Sequence, residues 1–278
     1  MVGGSNNRQH ATFNLQLFMP LIVSPGQFAH RAEFYNQLAP LYHLIYPDWE
    51  ASIRRQAAAL DSVIREFWGK DHRTILDGAC GIGTQALGLA QLGYDVTASD
   101  LAPAEIERAK HEAAQRGLPI AFSVADMREV HRHHLRQFDV VLACDNAIPH
   151  LLSDDALLAA FQAFFQCVRP GGGCLISVRD YDKEERSGVQ VKAYGVRLEG
   201  SIRYLLFQVW EFHGLIYDLA LYYVEDRGDA NPATRVMRSQ YYAVSIDRLM
   251  TLLRDAGFQK VQRLDDRFFQ PLIMGTKE

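Results

Sequence analysis

The sequence has no stripe of basic residues, no cysteine pair at metal-ligand spacing, no internal repeat and no apolar run long enough to span a bilayer. Each absence removes a class of function. Net charge is −4, with 29 Lys and Arg against 33 Asp and Glu. Phosphate binding needs clustered Lys and Arg, so nucleic acid is not the expected partner. The four cysteines, Cys80, Cys144, Cys167 and Cys174, are scattered. They read as reduced core residues of a cytoplasmic protein, with no metal. Leu15 to Val23 is mostly apolar, but Gln16 and Pro20 interrupt it and it is too short for a membrane span. Only Arg8 supplies positive charge ahead of it, so the basic start of a signal peptide is missing. His131, His133 and His134 lie in a short charged stretch that reads as a solvated loop, since no carboxylate or cysteine joins them at helical spacing.

What is present is a large apolar fraction, 48% of 278 residues, enough for a substantial core. The chain is organised around Thr74 to Thr84, T-I-L-D-G-A-C-G-I-G-T. Apolar residues run into Asp77, then a small-residue loop, then a helical run from Gln85 to Leu92. A helix start beside glycines offers bare backbone N–H groups and lets a ligand approach the main chain. A second strand, Tyr94 to Ser99, ends in Asp100. An acid about 20 residues past a glycine loop is placed to grip a ribose hydroxyl pair. Gly81 to Ala86 also fits the dinucleotide pattern G-x-G-x-x-A, so the loop by itself leaves two nucleoside cofactors open.

Asp48 is an N-cap for a helix running through Phe67, with Ile53, Ala57, Leu60 and Ile64 on one face and Gly69 as its stop. Pro103 opens a helix that Gly117 closes. Ile120 to Val124 is a third strand, followed by Asp126, either a loop acid or a carboxylate that can accept from an adenine amino group. Phe138 to Ala143 is a continuous apolar strand, as expected when both faces are covered. It runs into Asp145-Asn146-Ala147-Ile148-Pro149-His150 on the ligand-binding edge of an open α/β sheet. Ser153 caps a helix through Val168, and Cys174 to Val178 is a fifth strand that ends at Arg179. From Ser201 three strand-like runs, Ser201–Trp210, Ile216–Val224 and Val236–Val244, form an inserted antiparallel sheet. Ser245 caps a last helix, and Phe258–Leu264 and Pro271–Thr276 close the fold. The expected division is an arm (1–27), a helical lid (28–69), a cofactor-binding core (70–182), the inserted sheet (183–244) and the completion of the core sheet (245–278). The arm packs on a surface, its own or that of a second copy in a homo-oligomer.

The leading acid in D-G-A-C-G-I-G, the acids Asp100 and Asp126, the Arg169-Pro170-Gly171-Gly172 turn and the closing strand pair resemble a class I S-adenosylmethionine methyltransferase. Within that class, Asp77–Gly83, Asp145–Leu151 and Val178–Asp182 resemble three segments of the glycine/sarcosine N-methyltransferases. Asp145, Pro149 and Val178 depart from the family's glycine, alanine and histidine. The resemblance implies an α/β fold with a Rossmann-like seven-stranded sheet, helices on both faces, an N-terminal helical lid and a small inserted antiparallel sheet. It implies S-adenosyl-L-methionine as cofactor and a small molecule as acceptor, most simply glycine or sarcosine. O- or C-methylation of another polar metabolite and a non-enzymatic cofactor-binding module stay open.

The expected cofactor contacts are Tyr42, Trp49, Arg54, Asp77, Ala79, Cys80, Gly81, Gly83, Asp100, Leu101, Asp126, Met127 and Asp145. Tyr42 and Trp49 would offer ring faces to a sulfonium, and Arg54 would hold the cofactor's carboxylate. Asn146, His150, Arg179 and Tyr242 are the expected residues of the acceptor side. Arg179 offers a planar fork for a carboxylate, and Asn146 faces the same pocket from the neighbouring strand.

Overall fold

The structure is a computed structural model, and it describes residues 25–229 and 231–278. The expected arm lies outside the described residues, apart from its last three, which open α1 (Pro25–Leu38). A short 3-10 turn, Tyr42–Ile45, follows, and then α2 (Trp49–Phe67). Asp48 caps α2 as its sequence position requires, accepting from the Ala51 amide at 2.9 Å. The chain then alternates: β1 (Thr74–Asp77), α3 (Thr84–Gln91), β2 (Asp95–Asp100), α4 (Pro103–Gln115), β3 (Ala121–Val124), the single turn α5 (Val130–His133), β4 (Phe138–Ala143), α6 (Asp154–Cys167) and β5 (Val168–Ser177).

Four long antiparallel strands follow: β6 (Val189–Glu199), β7 (Ile202–His213), β8 (Ile216–Asp226) and β9 (Ala233–Tyr242). α7 (Ile246–Asp255) leads to β10 (Gln259–Leu264) and β11 (Leu272–Thr276). The large sheet has seven strands in the order β10-β11-β5-β4-β1-β2-β3. β1 to β5 run parallel, and β11 runs antiparallel to both its neighbours, β5 and β10.

Alternation along β4 sorts the core. Val140 and Leu142 pack with Leu60, Val63 and Ile64 of α2, and Val141 and Ala143 pack with Phe161 and Phe164 of α6. All six residues of β4 are buried. One close approach depends on a missing side chain: a Cβ on Gly173 would lie 2.1 Å from the Trp68 indole. The strand order reverses between β1 and β4, and the crevice beyond their carboxyl ends is where an open α/β sheet takes a ligand.

The sequence pattern yields three of the four inserted strands. β6 escapes it because it is an edge strand whose apolar alternation, Val189 to Ala193 and Val196 to Leu198, is broken by a register shift between Ala193 and Gly195. Its outer face leaves Val189, Val191, Val196 and Leu198 exposed.

Candidate active site

Two cavities meet at the carboxyl edge of the large sheet. The first encloses about 810 Å³, open mouth included, and is lined by the loops after β1, β2, β3 and β4. Ala79, Cys80, Gly81, Asp100, Leu101, Asp126, Met127, Asp145 and His150 all line it, as does Tyr42 from the lid. Gly81 and Gly83 take φ of 53° and 93°, values that strain any residue with a Cβ. At Gly81 a Cβ would also meet Glu105 Oε2 at 2.9 Å.

The carboxylates here are unusual. Asp77, at the end of β1, is buried behind the loop and outside the cavity lining, with Oδ1 accepting from the Ala79 amide at 3.4 Å and Oδ2 without a hydrogen-bond partner among the described residues. Burial raises its pKa to about 7. Asp100 accepts from the Gly81 and Ala102 amides, each at 2.9 Å, which leaves a lone pair on each oxygen. Burial raises its pKa too, against the pull of those amides. Glu105, from the first turn of α4, is wholly buried behind Gly81 with neither oxygen hydrogen-bonded among the described residues. Burial and the nearby Asp100 hold its pKa well above the ordinary carboxylate range.

The second cavity, about 520 Å³, lies between the large sheet's edge and the inner face of the inserted sheet. Its walls include Asn146, Arg179, Tyr194, Gln208, Trp210 and Tyr217. Tyr35, Tyr42, Asp145 and, on one side only, Tyr241 stand where it meets the first cavity. The Tyr35 hydroxyl and His150 Nε2 are 2.6 Å apart. The Arg179 guanidinium lies 4.6 Å from the centre of the Trp210 ring, and Lys192 Nζ 4.9 Å from it. Glu184 accepts from both, at 3.2 and 2.8 Å. Two cations around one carboxylate leave a net positive charge beside the cavity. Arg179 Nε is buried with no partner among the described residues.

Asp145 and Asn146 follow β4 in the left-handed region, at φ 57° and 63°. Ser177 holds this turn: its Oγ accepts from the Asp145 amide at 2.7 Å and its carbonyl from the Asn146 amide at 3.1 Å. Two such residues in a row cost about 1 kcal/mol or more each, a strain that gathers at functional sites.

Several expected site residues lie elsewhere. Trp49 turns its indole onto Thr84, donating to Oγ1 at 2.9 Å, with Arg108 and Arg116 over its ring. Arg54 is exposed on the outer face of α2, because five residues past Trp49 is not the same helix face; three or four would be. Tyr242 points outward to Asp154 at 2.9 Å, and its neighbour Tyr241 takes the inward position that strand alternation assigns. Asn146 is a strut: its Nδ2 donates to the Tyr181 hydroxyl at 2.8 Å and its Oδ1 accepts from the Arg179 amide at 3.0 Å. Gly83 caps α3 beneath the loop, outside the cavity lining. The Asp126 carboxylate lines the cleft but also accepts from the Arg128 amide and guanidinium. Tyr194, Gln208, Trp210 and Tyr217 escape sequence reading. Only the inward half of the alternation in the inserted strands carries a signal for them.

Residues 75–172 match the family described as a methyltransferase domain. The glycine/sarcosine N-methyltransferase of Parasynechococcus marenigrum is 29% identical over 145 residues, 52% of this chain and 50% of that protein. The ubiquinone biosynthesis O-methyltransferase of Caulobacter vibrioides is 32% identical over 140 residues, 49% and 53% of the two chains. The chain thus spans about half the length of the curated relatives it matches. The solved structure of S-adenosylmethionine-bound CalS10, an amino pentose methyltransferase from Micromonospora echinaspora, superposes with a TM-score of 0.71 at 18% identity, over 82% of this chain and 92% of that one. The chain carries a class I S-adenosylmethionine-dependent methyltransferase domain with the fold of that class.

Proposed function

We propose that this protein is an S-adenosylmethionine-dependent methyltransferase whose acceptor is the nitrogen of a small amino acid or amine, glycine and sarcosine being the first to try. The observation that carries the reading is the pair of cavities meeting at Asp145, Tyr35 and Tyr42, one walled by half-buried acids and the glycine loop, the other by Arg179 and aromatic rings.

The first cavity suits the cofactor. The unpartnered Asp77 Oδ2 is an acceptor in want of a donor, as an amino acid's ammonium would provide. The spare lone pairs of Asp100 suit ribose hydroxyls. Asp126, Leu101 and Met127 are left for the adenine, with Arg128 sharing the Asp126 carboxylate. When bound, S-adenosylmethionine supplies a methyl group on a positively charged sulfur. The chain's part is to hold the acceptor in line and keep water out. Arg179, stacked on Trp210, takes a carboxylate with the edge that Glu184 leaves open. The Tyr35–His150 pair stands at the junction, where it orients the acceptor.

The test measures binding of adenosylmethionine and adenosylhomocysteine, then methyl transfer to glycine and sarcosine by wild type and by Arg179→Lys. Lysine keeps the charge and loses the fork, so the acceptor KM should rise about tenfold while cofactor affinity holds. No transfer to either amine at millimolar concentration would refute this acceptor. Absence of cofactor binding would refute the reading entire.

A further inference from the structure

Among the described residues, Asp145 is the one carboxylate that lines both cavities and also the mouth by which the second reaches solvent, beside Tyr194, Phe269 and Gln270. Tyr46 donates to its Oδ2 at 2.6 Å. Its Oδ1 takes no hydrogen bond among the described residues, and Arg179, the nearest cation, is bonded to Glu184 instead. The neighbouring Asn146 has its amide bound to Tyr181 and the Arg179 backbone, so it offers an incoming amine little. The strained turn therefore holds an open carboxylate oxygen at the junction of the two cavities.

Resting on the acceptor class proposed above, we propose that Asp145 selects a cationic amine: Oδ1 receives the acceptor's ammonium and takes one of its protons before methyl transfer. In that step one N–H bond breaks and one O–H bond forms. An ammonium and a carboxylate become a neutral amine and a neutral acid. The nitrogen lone pair is thereby released, and the proton passes from Oδ1 to water through the mouth.

Two features make the step favourable. Burial lifts the Asp145 pKa above the ordinary carboxylate value, against the pull of Tyr46 and Arg179, which narrows the gap to an amine. The other groups facing it are Tyr42, Tyr194, Tyr241 and Cys144. Burial raises the pKa of each, so all stay protonated and none competes as a base near neutral pH. An acceptor without a cation, such as a phenol or a carboxylic acid, would leave the Asp145 Oδ1 without a donor, a penalty that discriminates against it.

The experiment reads binding rather than turnover. Protein loaded with adenosylhomocysteine is titrated calorimetrically with sarcosine and with methoxyacetate, which keeps the carboxylate and replaces N–H by an ether oxygen. Wild type should bind sarcosine about 10- to 100-fold more tightly. Asp145→Asn should abolish that preference by weakening sarcosine alone. Asparagine accepts the left-handed backbone and the Tyr46 hydrogen bond, and a far-ultraviolet circular dichroism spectrum matching that of wild type reports that the fold is kept. In wild type, sarcosine affinity should rise as pH rises through the Asp145 pKa, because the ionised form binds the cation. Equal binding of the two ligands by wild type, or full sarcosine affinity in Asp145→Asn, would overturn the role of Asp145 and leave the small-acceptor reading standing. Failure of wild type to bind either ligand while holding adenosylhomocysteine would overturn both.

Discussion

The two halves of the site are built by different means. The half after β1 and β2 is made within a short stretch of chain, largely from backbone: two left-handed glycines, a loop whose amides are held by the neighbouring strands and acids, and two acids at strand ends. The half after β4 and β5 is made of side chains drawn from the lid and from Asp145 to Gln270, including all four inserted strands. The first sets a geometry that any sequence with glycine and acid in those places can reproduce. The second depends on which side chains meet across a sheet-to-sheet interface, and so it can change acceptor while the first stays as it is.

The contrast breaks if a change in one half is felt in the other. The largest effect expected is from Asp100→Ala, which leaves ribose hydroxyls without their acceptor. Adenosylhomocysteine affinity should fall by about 1–3 kcal/mol, read by calorimetry, while the KM for the acceptor at saturating cofactor stays within twofold. A matching loss on the acceptor side would show one site rather than two halves.

Next comes pH. Asp77 in the free protein has its pKa raised by burial to about 7, and a ligand ammonium binds the ionised form. Adenosylhomocysteine affinity should therefore be full above that value and fall below it, by up to about tenfold per pH unit. In Asp77→Asn the slope should vanish. The sign for stability is the reverse. Between the ordinary Asp value and about 7 the folded state holds the proton more tightly than the unfolded one, so the free protein should lose thermal stability as pH rises through that window.

The smallest effect is from Tyr35→Phe, which removes the hydroxyl facing His150. kcat should drop by about 0.5–1.5 kcal/mol in activation free energy, with cofactor affinity unchanged. An unaltered kcat would make Tyr35 a packing residue and sharpen the division by moving the lid wholly to the cofactor half.

Legibility in the sequence follows the same division. Strand ends, caps and glycines announce β1, β2 and their acids, because each signal is local. Asp48, Ser153 and Ser245 mark helix starts, and the side chain of each accepts the expected backbone N–H. Trp49 and Arg54 mislead because helical spacing alone does not say which face looks inward. Tyr242 misleads because one step along a strand reverses the face, and only the buried partner Tyr217 opposite Tyr241 fixes the register. Trp210 and Tyr194 give no local sign beyond the alternation of their strands. Their place beside Arg179 exists only once β6 and β7 have folded back over the edge of the large sheet.

Tyr35, Tyr42 and Asp145 belong to both cavities. Whatever shifts them for one ligand shifts the wall the other must meet. Reciprocity then holds: the factor by which bound nucleoside alters amine affinity is the factor by which bound amine alters nucleoside affinity. A loaded acceptor chamber thus tightens or loosens the hold on the nucleoside, and the three shared side chains set which.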